Sequence, residues 1–464
     1  MALLIQHGEI ITATDRYRAD IYCEGETISR IAPDIPRADL PGEVEVIDAT
    51  GQYVFPGFID PHVHIHLPFM GTLAKDDYES ASKAALSGGT TTLIEMICPG
   101  PSDEPLAAFE TWSTKAAPLA AVDYTFHMSV VRFDPAAQAQ FREIVTRHGV
   151  PSFKVFLAYK GALNLSDEAL FGALRLAKEL GVIVTAHCEN AEVIDAMQRA
   201  LEGEGKTGPE WHYYSRPPVV EAEGVHHLAT FAQLTGTHIY TVHTSCDAAV
   251  RSALEARYRG VDIWIEAVVP HLVLDKTYAE RPNFEGAKYV MSPPLRERHN
   301  QAILWNGLRQ RLISTVGTDH APFDFVGQKD MGREAFTKIP NGVPSIQERV
   351  NLVHTYGVMT ERIDLSTMVD ALSTQAAKLF GMYPKKGTIA VGSDADLVVY
   401  DPSYRGTFSL ASSHSKVDYC AYDGWEQKGR PTVVSVRGEV QVRNGEFVGR
   451  LGRGRFIRRE PTHF

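Results

Sequence analysis

The sequence contains no Cys-x-x-Cys pair, and its five cysteines, Cys23, Cys98, Cys188, Cys246 and Cys420, are odd in number and far apart. Neither a disulfide framework nor a thiolate zinc site is indicated, and reduced structural thiols are expected. No stretch approaches the ~18 continuous apolar residues of a membrane-spanning helix, and the N-terminus lacks the basic start of a secretory signal. A cytoplasmic protein without a membrane partner is therefore expected. Positive charge is in deficit: 46 Lys and Arg against 57 Asp and Glu give a net charge of −11, which disfavours a nucleic-acid-binding surface. A Gly-x-Gly-x-x-Gly turn after the first strand of the α/β region is missing too, which weakens a doubly wound dinucleotide-binding sheet.

What is present is an ordinary globular composition, 44% hydrophobic and 22% charged, on a chain longer than one typical domain. The first 50 or so residues and the last 80, including "GRGRFIRRE", read as short strands and turns, with Asn444-Gly445 as a hairpin signal. Neither end is long enough to bury a core alone, so a sandwich shared by both termini is expected. Between them strands and helices alternate, which implies a parallel sheet. Eight strand candidates stand out: "YVFPGFIDPHVH", "TTTLIEMI", "DYTFHMSV", "SFKVFLA", "VIVTAHC", "HIYTVHT", "DIWIEAV" and "STVGTDH". Helical stretches separate several of them, one opening on Ser166 as N-cap. The expectation is an α/β fold: a (β/α)₈ TIM barrel over residues 55–384, with a β-sandwich domain built from residues 1–54 and 385–464.

In such a barrel the chemistry sits at the C-terminal ends of the strands. The first candidate ends in "DPHVHIH", the fifth in "TAHCEN", the sixth in "TVHTS" and the eighth in "GTDHAP". One histidine among the 18 in this chain would mean little. Together, His62, His64, His187, His243 and Asp319 make a donor set that suits zinc or another borderline divalent ion. Lys154 lies inside "SFKVFLAYKG", on the strand face of Phe156 and Ala158. Burial disfavours the charged ammonium, and the neutral amine that results is a nucleophile able to add CO₂. The carbamate so formed is an anion with two oxygens, able to bridge two cations.

"GFIDPHVH", "FKVFLAYKG", "TAHCEN", "TVHTS", "GTDHAPF" and "KGTIAVGSDADLVVYDP" resemble the cyclic amidohydrolases of the amidohydrolase superfamily. "MSPPLR", "IPNGVPSIQER", "KVDYCAYDG" and "GRGRFIRR" are most similar to its dihydropyrimidinase and hydantoinase branch. The resemblance implies two metal ions, usually zinc, with His62, His64 and Asp319 on one, His187 and His243 on the other, and Lys154 as N6-carboxylysine between them. It implies that a hydroxide held between the metals attacks the ring carbonyl. Asp319 would move the proton to the leaving ring nitrogen, and Tyr159 would donate to the oxyanion. Ser292 and Asn341 would meet the amide edge of the substrate, and the protein would be a homo-oligomer, a tetramer in many relatives.

One departure bears on substrate. Dihydroorotases carry an arginine two residues after the H-x-H pair, and this chain has His66 there, which disfavours an acidic substrate. His66 is expected to back the site or line the pocket, whose wall is drawn from Leu67, Phe69, Met70, Ile97 and Cys98. An apolar wall suits an uncharged or bulky ring substituent. The expected reaction is hydrolysis of 5,6-dihydropyrimidines or 5-substituted hydantoins to N-carbamoyl amino acids. The alternatives are allantoinase or another cyclic ureide or imide hydrolase, and a non-catalytic scaffold relative.

Overall fold

Eight strands follow one another in chain order through a single parallel sheet: β1 (Phe58–Val63), β2 (Thr90–Ile97), β3 (Asp123–Ser129), β4 (Ser152–Phe156), β5 (Ile183–His187), β6 (Ile239–Thr241), β7 (Ile263–Val268) and β8 (Thr315–Gly317). The structure is a computed structural model and describes residues 2–462. The sheet closes on itself where the His64 N–H donates to the His320 carbonyl (2.8 Å) and the Asp319 N–H to the His62 carbonyl (2.9 Å). Arg349, fully buried, reinforces that seam by donating to the Ile59 and Val316 carbonyls at 2.8 and 2.9 Å. The result is the expected barrel, wrapped by helices such as Tyr78–Ser87, Asp167–Leu180 and Pro218–Thr235.

Strand alternation decides which residues reach the interior. In β2, Ile94 and Met96 join the inner cluster, whereas Leu93 and Ile97 pack outward against the helices. Ile97, expected on the pocket wall, is thus on the opposite face. In β4, Phe153 and Val155 face the helices while Phe156 joins the inner cluster, and Lys154 points the same way as Phe156.

The long first candidate, 53–64, is two strands. Tyr53–Pro56 joins a seven-stranded sheet, Phe58–Val63 enters the barrel, and the break falls at Gly57. A Cβ on Gly57 would stand 2.1 Å from Thr91 Oγ1 and 2.8 Å from Asp396 Cβ, so only glycine lets the chain pass there. Alternating hydrophobicity carries straight through this point, which is why the sequence reads as one strand.

The termini share one core. The seven-stranded sheet pairs Tyr53–Pro56 antiparallel with Leu397–Thr407, and a four-stranded sheet holds Ala2–Gln6 between Asp20–Glu24 and Val44–Asp48. Leu3, Ile5, Ile10 and Val54 pack with Leu397, Val399 and Val433 in one cluster. Lys386 ties this layer to the barrel: its ammonium lies 2.8 Å from Asp123 of β3 and 2.9 and 2.6 Å from Asp394 and Asp396. The stretch 454–459, expected among the sandwich strands, runs along β3 instead. Tyr124 N–H donates to the Arg455 carbonyl (2.9 Å) and Ile457 N–H to the Tyr124 carbonyl (2.7 Å). Among the described residues no helix is long and apolar enough to cross a membrane.

Candidate metal centre

The site is built where β1, β4, β5, β6 and β8 end. β1 stops at Val63, but the His64 pairing with His320 carries its alternation one residue further, so His62 and His64 both look into the barrel mouth. His62 is wholly buried, and its Nδ1–H donates to Glu266 Oε1 of β7 at 2.7 Å. That bond holds the ring in place and leaves Nε2 as the nitrogen facing the site, the usual way a carboxylate orients a ligating imidazole, and against the effect of burial the Glu266 and Asp319 carboxylates raise the pKa of the ring. His62 Nε2 has no hydrogen-bond partner and lies 3.1 Å from Asp319 Oδ1. His64 Nε2 lies 3.1 Å from the same oxygen. The ligating atoms of His62, His64 and Asp319 fall within 4.8 Å of one another, a group able to hold a metal ion.

His187 and His243 stand beside them, their ring centroids 4.5 Å apart, with His243 5.3 Å from His62. Glu189 Oε2 sits 2.6 Å from His187 Nε2 and takes Arg216 at 2.6 Å as well. Burial lowers the pKa of His187 and drives that of His243 well down, so both rings are neutral and their lone pairs available. Burial alone would raise the Asp319 carboxyl, but His62 and His64 hold it well below the ordinary carboxylate range. Lys154 is 1% exposed, and burial brings its amine down to about 8 against the opposing pull of Asp319 and Glu266.

These side chains enclose a cavity of about 40 Å³ that Tyr159, Ser292 and Asn341 also line. It shares Leu67, Phe69, Cys98, Tyr159 and Asn341 with an outer cavity of about 1010 Å³. Tyr159 is held at φ 65°, in the left-handed region that non-glycine residues seldom adopt. Burial pushes its hydroxyl up to about 12, so it keeps its proton and can donate. Ser292 Oγ accepts from Asn341 Nδ2 at 2.9 Å, and His212 Nε2 lies 3.1 Å away.

The structure therefore brings all nine candidate positions to one pocket. His66 is excluded from it: at φ 55° its ring turns onto Tyr78, centroid to centroid 5.8 Å, and it lines neither cavity. Sequence reasoning missed Glu266, Glu189 and Arg216. Glu266 carried a usable signal, since a carboxylate inside "DIWIEAV" is as conspicuous as a lysine inside "SFKVF". A second buried acidic group, Asp123, Asp394 and Asp396, could also hold a cation, but the Lys386 ammonium already lies among those carboxylates.

A closed parallel barrel whose strand ends gather imidazoles, a carboxylate and a buried lysine around one small cavity is the architecture of a metal-assisted hydrolase. Residues 53–441 match the amidohydrolase family, and the chain belongs to that family. It is 45% identical to a D-hydantoinase of Geobacillus stearothermophilus over 460 residues, 99% of this chain and 97% of that protein. Among solved structures it is similar to a D-hydantoinase (dihydropyrimidinase) from Thermus sp., at 59% identity, a TM-score of 0.97 and full coverage of both chains. A dihydropyrimidinase from Brevibacillus agri superposes with a TM-score of 0.98 at 43% identity, again over the whole of both chains.

Proposed function

We propose that this cyclic amidohydrolase opens the ring amide of 5,6-dihydropyrimidines and 5-substituted hydantoins, yielding N-carbamoyl amino acids. The observation that carries the reading is the His62 imidazole, locked by Glu266 so that a partnerless nitrogen faces Asp319 in a closed pocket. The donor set fits two divalent ions, taken here as Zn²⁺. His62, His64 and Asp319 would hold one, His187 and His243 the other, and the carbamate of Lys154 would bridge them. Bound there, the ions would acidify a water and polarise the substrate carbonyl.

The chain's own groups do the rest. The neutral amine of Lys154 would add to the carbon of CO₂ and release a proton to solvent, turning a buried amine into an anion that the two bound cations would neutralise. Asp319 takes the proton of the attacking water and delivers it to the ring nitrogen as the C–N bond breaks. Tyr159 donates its hydroxyl proton to the carbonyl oxygen as negative charge builds on it. Ser292 and Asn341 hold the amide edge of the ring, and Leu67, Phe69 and Met70 offer an apolar wall to the ring substituent. The domain limits of 1–54 with 385–464 and 55–384, less the stretch 454–459 that lies along the barrel, a cytoplasmic location and a homotetrameric assembly belong to the same proposal.

The test is a substrate panel on zinc- and bicarbonate-replete protein: dihydrouracil, dihydrothymine, hydantoin, both enantiomers of an aryl hydantoin, and allantoin. The expected outcome is turnover of the dihydropyrimidines or hydantoins well above that of allantoin. Preference for allantoin would overturn the substrate assignment.

A further inference from the structure

Lys329 opens the short turn Lys329–Gly332 and is wholly buried. Its Nζ donates to the Val290 carbonyl at 3.2 Å and the Pro340 carbonyl at 2.9 Å. Among the described residues no carboxylate pairs with it, and burial brings its amine down to about 7. An aliphatic side chain would fill the same volume without desolvating an amine, so the packing alone does not account for a lysine here.

The two carbonyls belong to the two segments that present Ser292 and Asn341. Val290 lies two residues before Ser292, and Pro340 immediately before Asn341. The segments also meet directly, through Gly342 N–H to the Val290 carbonyl and Asn341 Nδ2 to Ser292 Oγ, both 2.9 Å. Gly342 (φ 151°) completes the arrangement, because a Cβ there would stand 2.1 Å from the Ala321 carbonyl oxygen, two residues past Asp319. Residues 340–342 are thus pressed against the strand end that carries Asp319, and Lys329 fastens 290–292 to them from behind.

We propose that Lys329 is a positioning residue for the substrate: it clamps the Ser292 and Asn341 segments at the spacing that grips the amide edge of the ring, without touching substrate or metal ligands. The inference rests on the substrate role given above to Ser292 and Asn341. It predicts a defect in binding rather than in chemistry, since the clamp contacts none of the six metal-site side chains.

The experiment compares Lys329→Met and Lys329→Arg with the parent on dihydrouracil and hydantoin, together with zinc content and amide hydrogen exchange at Gly342. Lys329→Met should raise KM about tenfold with kcat within about threefold, as expected for loss of uniform binding. Zinc content should be unchanged, and Gly342 should exchange faster. Lys329→Arg, which keeps donors to both carbonyls, should restore KM to within about threefold. Lys329→Gln, with an amide donor on a shorter stem, should fall between the two and takes the place of the Met variant if that does not fold. A KM within about twofold of the parent, or a fall in kcat with KM unchanged, would overturn the clamp. Unchanged exchange at Gly342 would overturn it without any substrate. A parent enzyme that turns over neither compound would instead count against the substrate assignment, and the exchange measurement would still decide the clamp.

Discussion

Lys154 and His62 show how single residues at this site depend on what lies behind them. His62 is a usable ligand because Glu266 occupies its other nitrogen, and Glu266 in turn receives the Tyr240 hydroxyl at 2.7 Å and the His243 backbone N–H at 2.9 Å. Lys154 is a usable nucleophile because burial brings its amine down to about 8. Deprotonation grows as pH rises, so the reactive fraction climbs from ~10% at pH 7 to ~90% at pH 9. Metal-free protein exposed to ¹³CO₂ at constant dissolved CO₂ should form the carbamate about tenfold faster at pH 9 than at pH 7, read from the carbamate carbon by NMR. A rate independent of pH would mean that the amine is not the group that titrates. The ligand candidates were legible because imidazoles and a charged strand residue stand out against apolar neighbours. Lys329 was not, because its partners are backbone carbonyls, which no residue type betrays.

At the scale of elements, the strands were legible where hydrophobic alternation stops at a turn and obscure where it does not. β2 matches its sequence candidate residue for residue, whereas the candidate at 314–320 shrinks to Thr315–Gly317. Its remaining residues serve the site instead: Thr318 Oγ1 donates to Asp60 at 2.7 Å, and Asp319 and His320 stitch the seam to β1. The C-terminal stretch was least legible. It reads as one more sandwich strand, yet Arg459 is 1% exposed and reaches Thr125 Oγ1 at 3.0 Å, Ser152 Oγ at 2.8 Å and the carbonyls of Phe126 and Phe380. Ser152 Oγ lies 2.7 Å from His127 Nδ1, whose other nitrogen is 3.1 Å from the Pro61 carbonyl next to His62. The tail therefore closes the floor beneath the metal-site strand. Arg459→Met would leave these acceptors unpaired in a buried place and should cost about 2–3 kcal/mol, seen as a lower urea midpoint. An unchanged or raised midpoint would show that relief from burying the guanidinium outweighs the lost bonds.

Across the whole molecule, one physical pattern recurs: charged groups are buried where strands from distant parts of the chain must meet. Arg349 crosses the barrel seam, Lys386 joins barrel to sandwich through three carboxylates, and Lys154 sits at the mouth where five strand ends converge. The first two find their partners within the chain. Lys154 sits instead among imidazoles and Asp319, and its Nζ lies 5.0 Å from the centroid of the Phe156 ring. A carbamate bridging two cations would resolve that difference, and the rest of the proposed chemistry stands on it. The most direct measurement is metal stoichiometry and hydantoin hydrolysis of the parent and Lys154→Ala, both produced with ample zinc and bicarbonate. The account predicts about two metal ions per chain in the parent, and joint loss of metal and activity in the variant. A Lys154→Ala protein that keeps both ions and hydrolyses hydantoin at the parent rate would contradict it.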